Sequence, residues 1–126
     1  MNDFWVKAVR AAGTARAALQ MGDTDGAVSR AYYAMFDAAK AALESIDAAL
    51  IDAKSHDVII ARFGQHVVLG QGLDRDLGRA LNSGQDLRNV ADYDRKPDSQ
   101  EEASQMIERM ERLLSAVAGL LNEPPP

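Results

Sequence analysis

The chain has no cysteine among its 126 residues. That excludes a disulfide scaffold, a thiolate zinc site and a cysteine nucleophile, and it fits a reducing cytoplasm. Long apolar runs are also missing. None approaches the ~18 residues that cross a bilayer, so no membrane segment is expected. The opening stretch, residues 1–13, carries Asp3 and lacks an apolar core, so it does not read as a secretory signal. The expected location is cytoplasmic. Positive charge is not in excess: the net charge is −5, and no broad basic surface advertises nucleic acid. A nucleic-acid site would have to be local. The two histidines, His56 and His66, cannot build a zinc site without carboxylate help, and no metal or cofactor is expected. The phosphate-binding loop, the glycine-rich dinucleotide fingerprint, GxSxG and HExxH are all absent. Asp23-Thr24-Asp25-Gly26 begins like a calcium loop, but the remaining ligands do not follow, so it reads as a turn and cap.

What is present points to one class. Hydrophobic residues make up 47% and charged residues 26%, a globular balance in a chain of single-domain size. Alanine, the best helix former, is abundant, and the β-branched residues that strands favour are scarce. The chain reads as all-α. A first helix is expected over about residues 3–21, with Trp5, Val9, Ala12 and Leu19 on one stripe. A second runs over about 25–49 after a cap at Asp23 or Thr24, with Val28, Ala31, Met35, Ala38, Ala42, Ile46 and Ala49 inward. Residues 50–57 read as a polar connection. A short helix follows over about 58–69, with Ile60, Phe63 and Val67 inward, and Gly70-Gln71-Gly72 breaks it. The fourth spans about 75–93, with Leu77, Leu81, Leu87 and Ala91 inward. Gly84 sits in its middle, where it costs about 1 kcal/mol against Ala unless a neighbouring helix comes close. Pro97 forbids continuation. Ser99 and Glu102 read as a capping box opening a last helix to about Leu121, with Ala103, Met106, Met110, Leu113, Val117 and Leu120 along one seam. The expected architecture is an up-and-down bundle of four long helices plus one short one, over residues 1–122, with 123–126 a disordered Pro-rich tail.

Two clusters of polar residues need a reason. On the second helix, Ser29 and Tyr33 share a face, and Arg30 meets Tyr33 one turn on. The plain alternative is that Tyr32 and Tyr33 fill space and bond at their tips. On the fourth helix, Arg88 and Asp92 stand four apart and Tyr93, Asp94 and Arg95 follow. The plain alternative there is an ion pair worth about 0.3–0.5 kcal/mol. The functional reading is phosphate or amide recognition, for which arginine offers a planar fork of donors. His56, beside Lys54, Ser55 and Asp57, is the histidine with polar company; His66 reads as a surface or boundary residue.

The run Ala27-Val28-Ser29-Arg30-Ala31-Tyr32-Tyr33-Ala34-Met35-Phe36 resembles the HEPN family, named for a higher-eukaryote and prokaryote nucleotide-binding domain. So does the downstream order Lys54-Ser55-His56, Phe63-Gly64, and Leu87-Arg88 leading to Ala91-Asp92-Tyr93. The likeness covers about residues 7–120 and is greatest to small stand-alone prokaryotic members. It implies a four-to-five-helix bundle. It also implies a homodimer whose fourth-helix motifs face a shared cleft. Pairing with a minimal nucleotidyltransferase antitoxin is a further implication. In such pairs the HEPN protein is often a toxin that cuts RNA without metal, and in some relatives the partner adds AMP to a motif tyrosine. Tyr93 holds the corresponding place here.

The family's nuclease signature is an arginine with a histidine four to six residues on. Arg88 matches the arginine, but Tyr93, Asp94 and Arg95 stand where the histidine belongs, and no histidine follows anywhere. Besides a plain interaction scaffold in which Arg88 and Asp92 form a structural ion pair, two functions remain open. One is a toxin-type ribonuclease in which Arg88 steadies phosphate, Asp92 and Tyr93 orient or exchange protons, and Ser29, Arg30, Tyr33 and His56 line the cleft. The other is a non-cutting module that binds RNA or nucleotide, or docks a nucleotidyltransferase.

Overall fold

The protein is described by a computed structural model covering residues 2–93 and 96–126, with residues 91–93 described by their backbone alone. Five α-helices carry the chain: α1 over Asp3–Gln20, α2 over Thr24–Ile46, α3 over His56–Arg62, α4 over Arg75–Tyr93 and α5 over Gln100–Leu121. A 3-10 turn, Ala48–Ile51, precedes α3, and a π-helical segment, Phe63–Leu69, continues it. This is the all-α bundle that composition and periodicity predict. No described helix is long and apolar enough to cross a membrane.

The helix starts follow local chemistry. Asn2 opens α1 by accepting from the amides of Phe4 and Trp5. Asp23 opens α2 by accepting from the Gly26 amide at 2.9 Å, which settles the calcium-like fragment as a cap. The turn before it passes through Gly22 at φ 82°, a left-handed conformation that glycine adopts without a Cβ penalty. Ser99 and Glu102 form the reciprocal capping box of α5. Asp25 then reaches across to accept from the Asp98 amide at 2.8 Å, tying the loop before α5 to the first turn of α2.

The sequence reading errs at the end of α2. The helix stops at Ile46, not Ala49, because Asp47 turns extended (φ −159°) and its carboxylate caps the 3-10 turn at the Ala49 amide. Ile46 is 42% exposed and Ala49 is exposed, so the inward seam ends one turn earlier than its spacing suggests. The short helix begins at His56, not Val58, because Ser55 caps it. On α1 the buried stripe is Trp5, Ala8, Ala12 and Ala15, while Val9 faces outward. Leu19, Leu87 and Leu120 are half-buried at the core's margin. The side chain of Ala91 lies outside the described residues.

Helix α2 is the central element and touches every other one. Its buried face is mostly alanine, which lets neighbours approach closely; Tyr32, Met35 and Leu43 fill the remaining space. Helix α5 returns Met106, Met110, Leu113, Leu114 and Val117 to the same core. Burying each such side chain contributes about 1.5–3 kcal/mol. The place of Gly84 is now explained. A Cβ there would lie 2.7 Å from Met106 Cε, 3.0 Å from Met35 Cε and 3.4 Å from Tyr32 Cδ1. The glycine lets α4 lie against α2 one turn before Arg88. A Gly84→Leu variant is therefore expected to lose about 1–3 kcal/mol of stability by overpacking. Urea denaturation measures it; an unchanged midpoint would mean that α4 does not press on α2 there.

Candidate functional site

Close approach of α4 to α2 sets Arg88 over two tyrosines. Its guanidinium carbon lies 5.2 Å from the Tyr32 ring centre and 5.4 Å from that of Tyr33. One terminal nitrogen donates to the Tyr33 hydroxyl at 3.1 Å and the other to Asn89 Oδ1 at 3.0 Å. The two rings meet edge to face at 5.4 Å, a favourable aromatic geometry. Arg30, one turn before Tyr33, holds its guanidinium 5.0 Å from the same ring. Tyr33 thus carries two arginines, one from each helix.

His56 enters from α3. Its Nδ1 shares a 3.0 Å hydrogen bond with the Tyr32 hydroxyl. Its ring stacks on Phe36 at 4.1 Å and stands edge-on to Tyr33 at 6.4 Å. Local chemistry fixes this placement. Ser55 caps α3, and one Arg62 nitrogen donates to the carbonyls of Leu50 and Asp52, pinning the connection against the helix. Lys40 closes the far side, its ammonium 4.9 Å from the Phe36 ring centre and 5.1 Å from that of Phe4.

Charge and burial tune these groups. Burial holds the His56 imidazole below its usual value, and Arg88 and Lys40 push the same way against Asp57 and Asp37. The ring is therefore neutral at neutral pH. Burial raises the Tyr32 phenol to about 12, with Arg88 opposing. It keeps its proton and serves as a hydrogen-bonding partner, not a base. Asp37, one turn beyond Tyr33, is raised by burial against the pull of Lys40, Lys7, Arg30 and His56.

Of the residues singled out by sequence, the structure brings Arg88, Tyr33, Arg30 and His56 into one cluster. Ser29 is half-buried on α2, and the cluster's hydrogen bonds among the described residues do not include it. The side chains of Asp92 and Tyr93 lie outside the described residues, as do Asp94 and Arg95. His66 falls in the π-helical segment, away from the cluster's contacts. Sequence reasoning undervalued Tyr32, which both fills space and bonds His56, and missed Phe36 and Lys40. The steps of four from Tyr32 to Phe36 to Lys40 were the available signal. Among the described residues, no three His, Asp or Glu side chains gather as a metal site requires.

Fold and site together define a small all-α bundle with an arginine–tyrosine–histidine cluster where α2, α3 and α4 meet. The chain belongs to the HEPN domain family, whose model matches residues 1–120. It is 39% identical over 69 residues to a UPF0332 protein of Gloeobacter violaceus, covering 55% of this chain and 52% of that one. It is 33% identical over 97 residues to a protein of Methanocaldococcus jannaschii named "Putative toxin", covering 77% of this chain and 70% of that one. The chain thus spans about half the length of the first relative.

Proposed function

We propose that this is the toxin-like member of a pair, a ribonuclease that needs no metal and uses His56 in place of the histidine missing after Arg88. The nucleotidyltransferase antitoxin and the homodimer belong to the same reading. The name of the M. jannaschii relative supports the toxin role. The observation that carries the nuclease role is the convergence of His56 and Arg88 on one tyrosine pair, at 3.0 Å to Tyr32 and 3.1 Å to Tyr33.

Cleavage of this kind moves few atoms. The 2′ oxygen bonds to phosphorus as the bond to the 5′ oxygen breaks. With Nδ1–H donating to Tyr32, Nε2 of His56 takes the 2′ proton as general base. The Arg88 fork meets the charge that develops on the phosphorane. The departing 5′ oxygen takes its proton from water or from Tyr93, five residues beyond Arg88. Products are a 2′,3′-cyclic phosphate and a 5′ hydroxyl.

The test is cleavage of RNA by the purified protein in EDTA, beside Arg88→Ala. Cleavage in the wild type that disappears in the variant is the expected result. Intact RNA with the wild type sinks the nuclease reading and leaves the binding module that docks a nucleotidyltransferase.

A further inference from the structure

We propose that the groove between α1 and α2 is a track for the phosphodiester backbone of single-stranded RNA, leading away from the Arg88 cluster. The proposal rests on the RNA-directed reading of that cluster and adds a subsite on a different helix. The groove has a volume of about 260 Å³. That is below the roughly 300–1,000 Å³ of pockets that enclose a drug-sized ligand. It suits a stretch of sugar and phosphate passing through, not an enclosed base.

Its lining is cationic. Lys7, Arg10 and Thr14 come from successive turns of α1, and Arg30, Tyr33 and Asp37 from successive turns of α2. Among the described residues, none of the three cations is ion-paired; the pairs formed there are Arg16–Glu111 and Arg79–Asp76. Three cations therefore face one carboxylate, and burial raises that carboxyl's pKa. A second basic groove, between α4 and α5, has Arg79, Arg109 and Arg112 beside Asp76, but among the described residues no aromatic side chain lines it.

Tyr33 joins the groove to the cluster. It lines the groove, carries Arg30 at 5.0 Å from its ring, and accepts from Arg88 at 3.1 Å. Arg30 and Arg88 both lie against this one ring, close enough to hold phosphates of neighbouring nucleotides while the ring stays beside the strand. Cations tracking a backbone past an aromatic face are how single strands are bound without sequence preference. This also resolves the charge problem. A net charge of −5 gives no long-range steering, so attraction must come from a short cationic path.

The experiment measures binding apart from cleavage. The probe is a short labelled 2′-O-methyl RNA strand, which has no free 2′ hydroxyl to attack, titrated by fluorescence anisotropy at several salt concentrations. Lys7→Ala with Arg10→Ala is expected to weaken binding about tenfold and to flatten the salt dependence by about 1.4 in log–log slope. Asp37→Asn is expected to tighten binding about threefold, a gain that misfolding cannot imitate. Arg75→Ala with Arg112→Ala removes the same charge elsewhere and is expected to bind like wild type. The groove is overturned if the Lys7/Arg10 variant matches that control, as it would if the groove served an acidic protein. It is equally overturned if the wild type does not bind the strand. Cleavage of ordinary RNA, run in parallel, separates the two ideas. Cleavage without groove dependence removes the groove alone, and groove-dependent binding without cleavage removes the nuclease alone.

Discussion

His56→Ala is expected to slow RNA cleavage by about 10²–10⁴-fold, the usual worth of a general base. The histidine is half-buried and stacks on Phe36, so circular dichroism and urea denaturation must show that the bundle survives. The pH profile supplies the sharper check. Burial, Arg88 and Lys40 depress the imidazole below 6.5. The base is the neutral form, so the wild-type rate should rise through a midpoint below 6.5 and be level at neutral pH. Stability should follow the same sign. The unfolded chain takes up the proton more readily, so stability grows with pH from the folded value up to the unfolded one and is lost below. Tyr32→Phe removes the hydroxyl that orients the ring and leaves its packing. Its rate should fall less than that of His56→Ala, with the midpoint moved. A rate that falls in His56→Ala but keeps the wild-type pH profile in Tyr32→Phe would separate the histidine from its tyrosine. Full activity in His56→Ala would remove it from the mechanism.

Much of this fold is legible in the sequence. The bounds of α1, α4 and α5 fall within a residue of those the sequence suggests, although Val9 leaves the expected stripe, and the caps of α2 (Asp23, of the two candidates) and α5 (Ser99) are legible in the chain. The end of α2 is not. Ile46 continues the apolar step perfectly well, but the buried surface beneath it has run out, and only the partner helices decide that. Gly84 was legible as a puzzle, a costly residue in a helix middle; its answer is the methyls of Met106 and Met35 on two other helices. The site divides in the same way. Arg88, Tyr33, Arg30 and His56 stood out by type and neighbours. That His56 meets Tyr32 depends on how the Ser55 cap and Arg62 bend the connection. Lys7 and Arg10 carry no signal in the sequence, because Arg30, which lines the same groove, lies on another helix. Sequence periodicity describes one helix at a time, whereas the close approach at Gly84 and the meeting of His56 with Tyr32 lie between two.

The second large effect is expected at Arg88, and the informative substitution is lysine. Arg88→Lys keeps the charge over Tyr32 and Tyr33 but loses the planar fork. The wild-type guanidinium donates to Tyr33 with one nitrogen and to Asn89 with the other, while its carbon lies 5.2 Å and 5.4 Å from the Tyr32 and Tyr33 ring centres. An ammonium on a shorter, flexible stem cannot hold a phosphate's two oxygens in one plane while resting on two rings. Cleavage should therefore fall by about 10²–10³-fold in Arg88→Lys, approaching Arg88→Ala, as when a preorganised donor is removed. If Arg88 served only as the positive half of an ion pair with Asp92, lysine would replace it well. On a helix surface a pair at this spacing is generally worth only about 0.3–0.5 kcal/mol. The two ideas thus differ in rank order: fork recognition places lysine beside alanine, whereas a charge pair places it beside arginine. Measuring both variants against Asp92→Asn decides it, because a pair predicts equal losses at Asp92 and Arg88 and the fork does not.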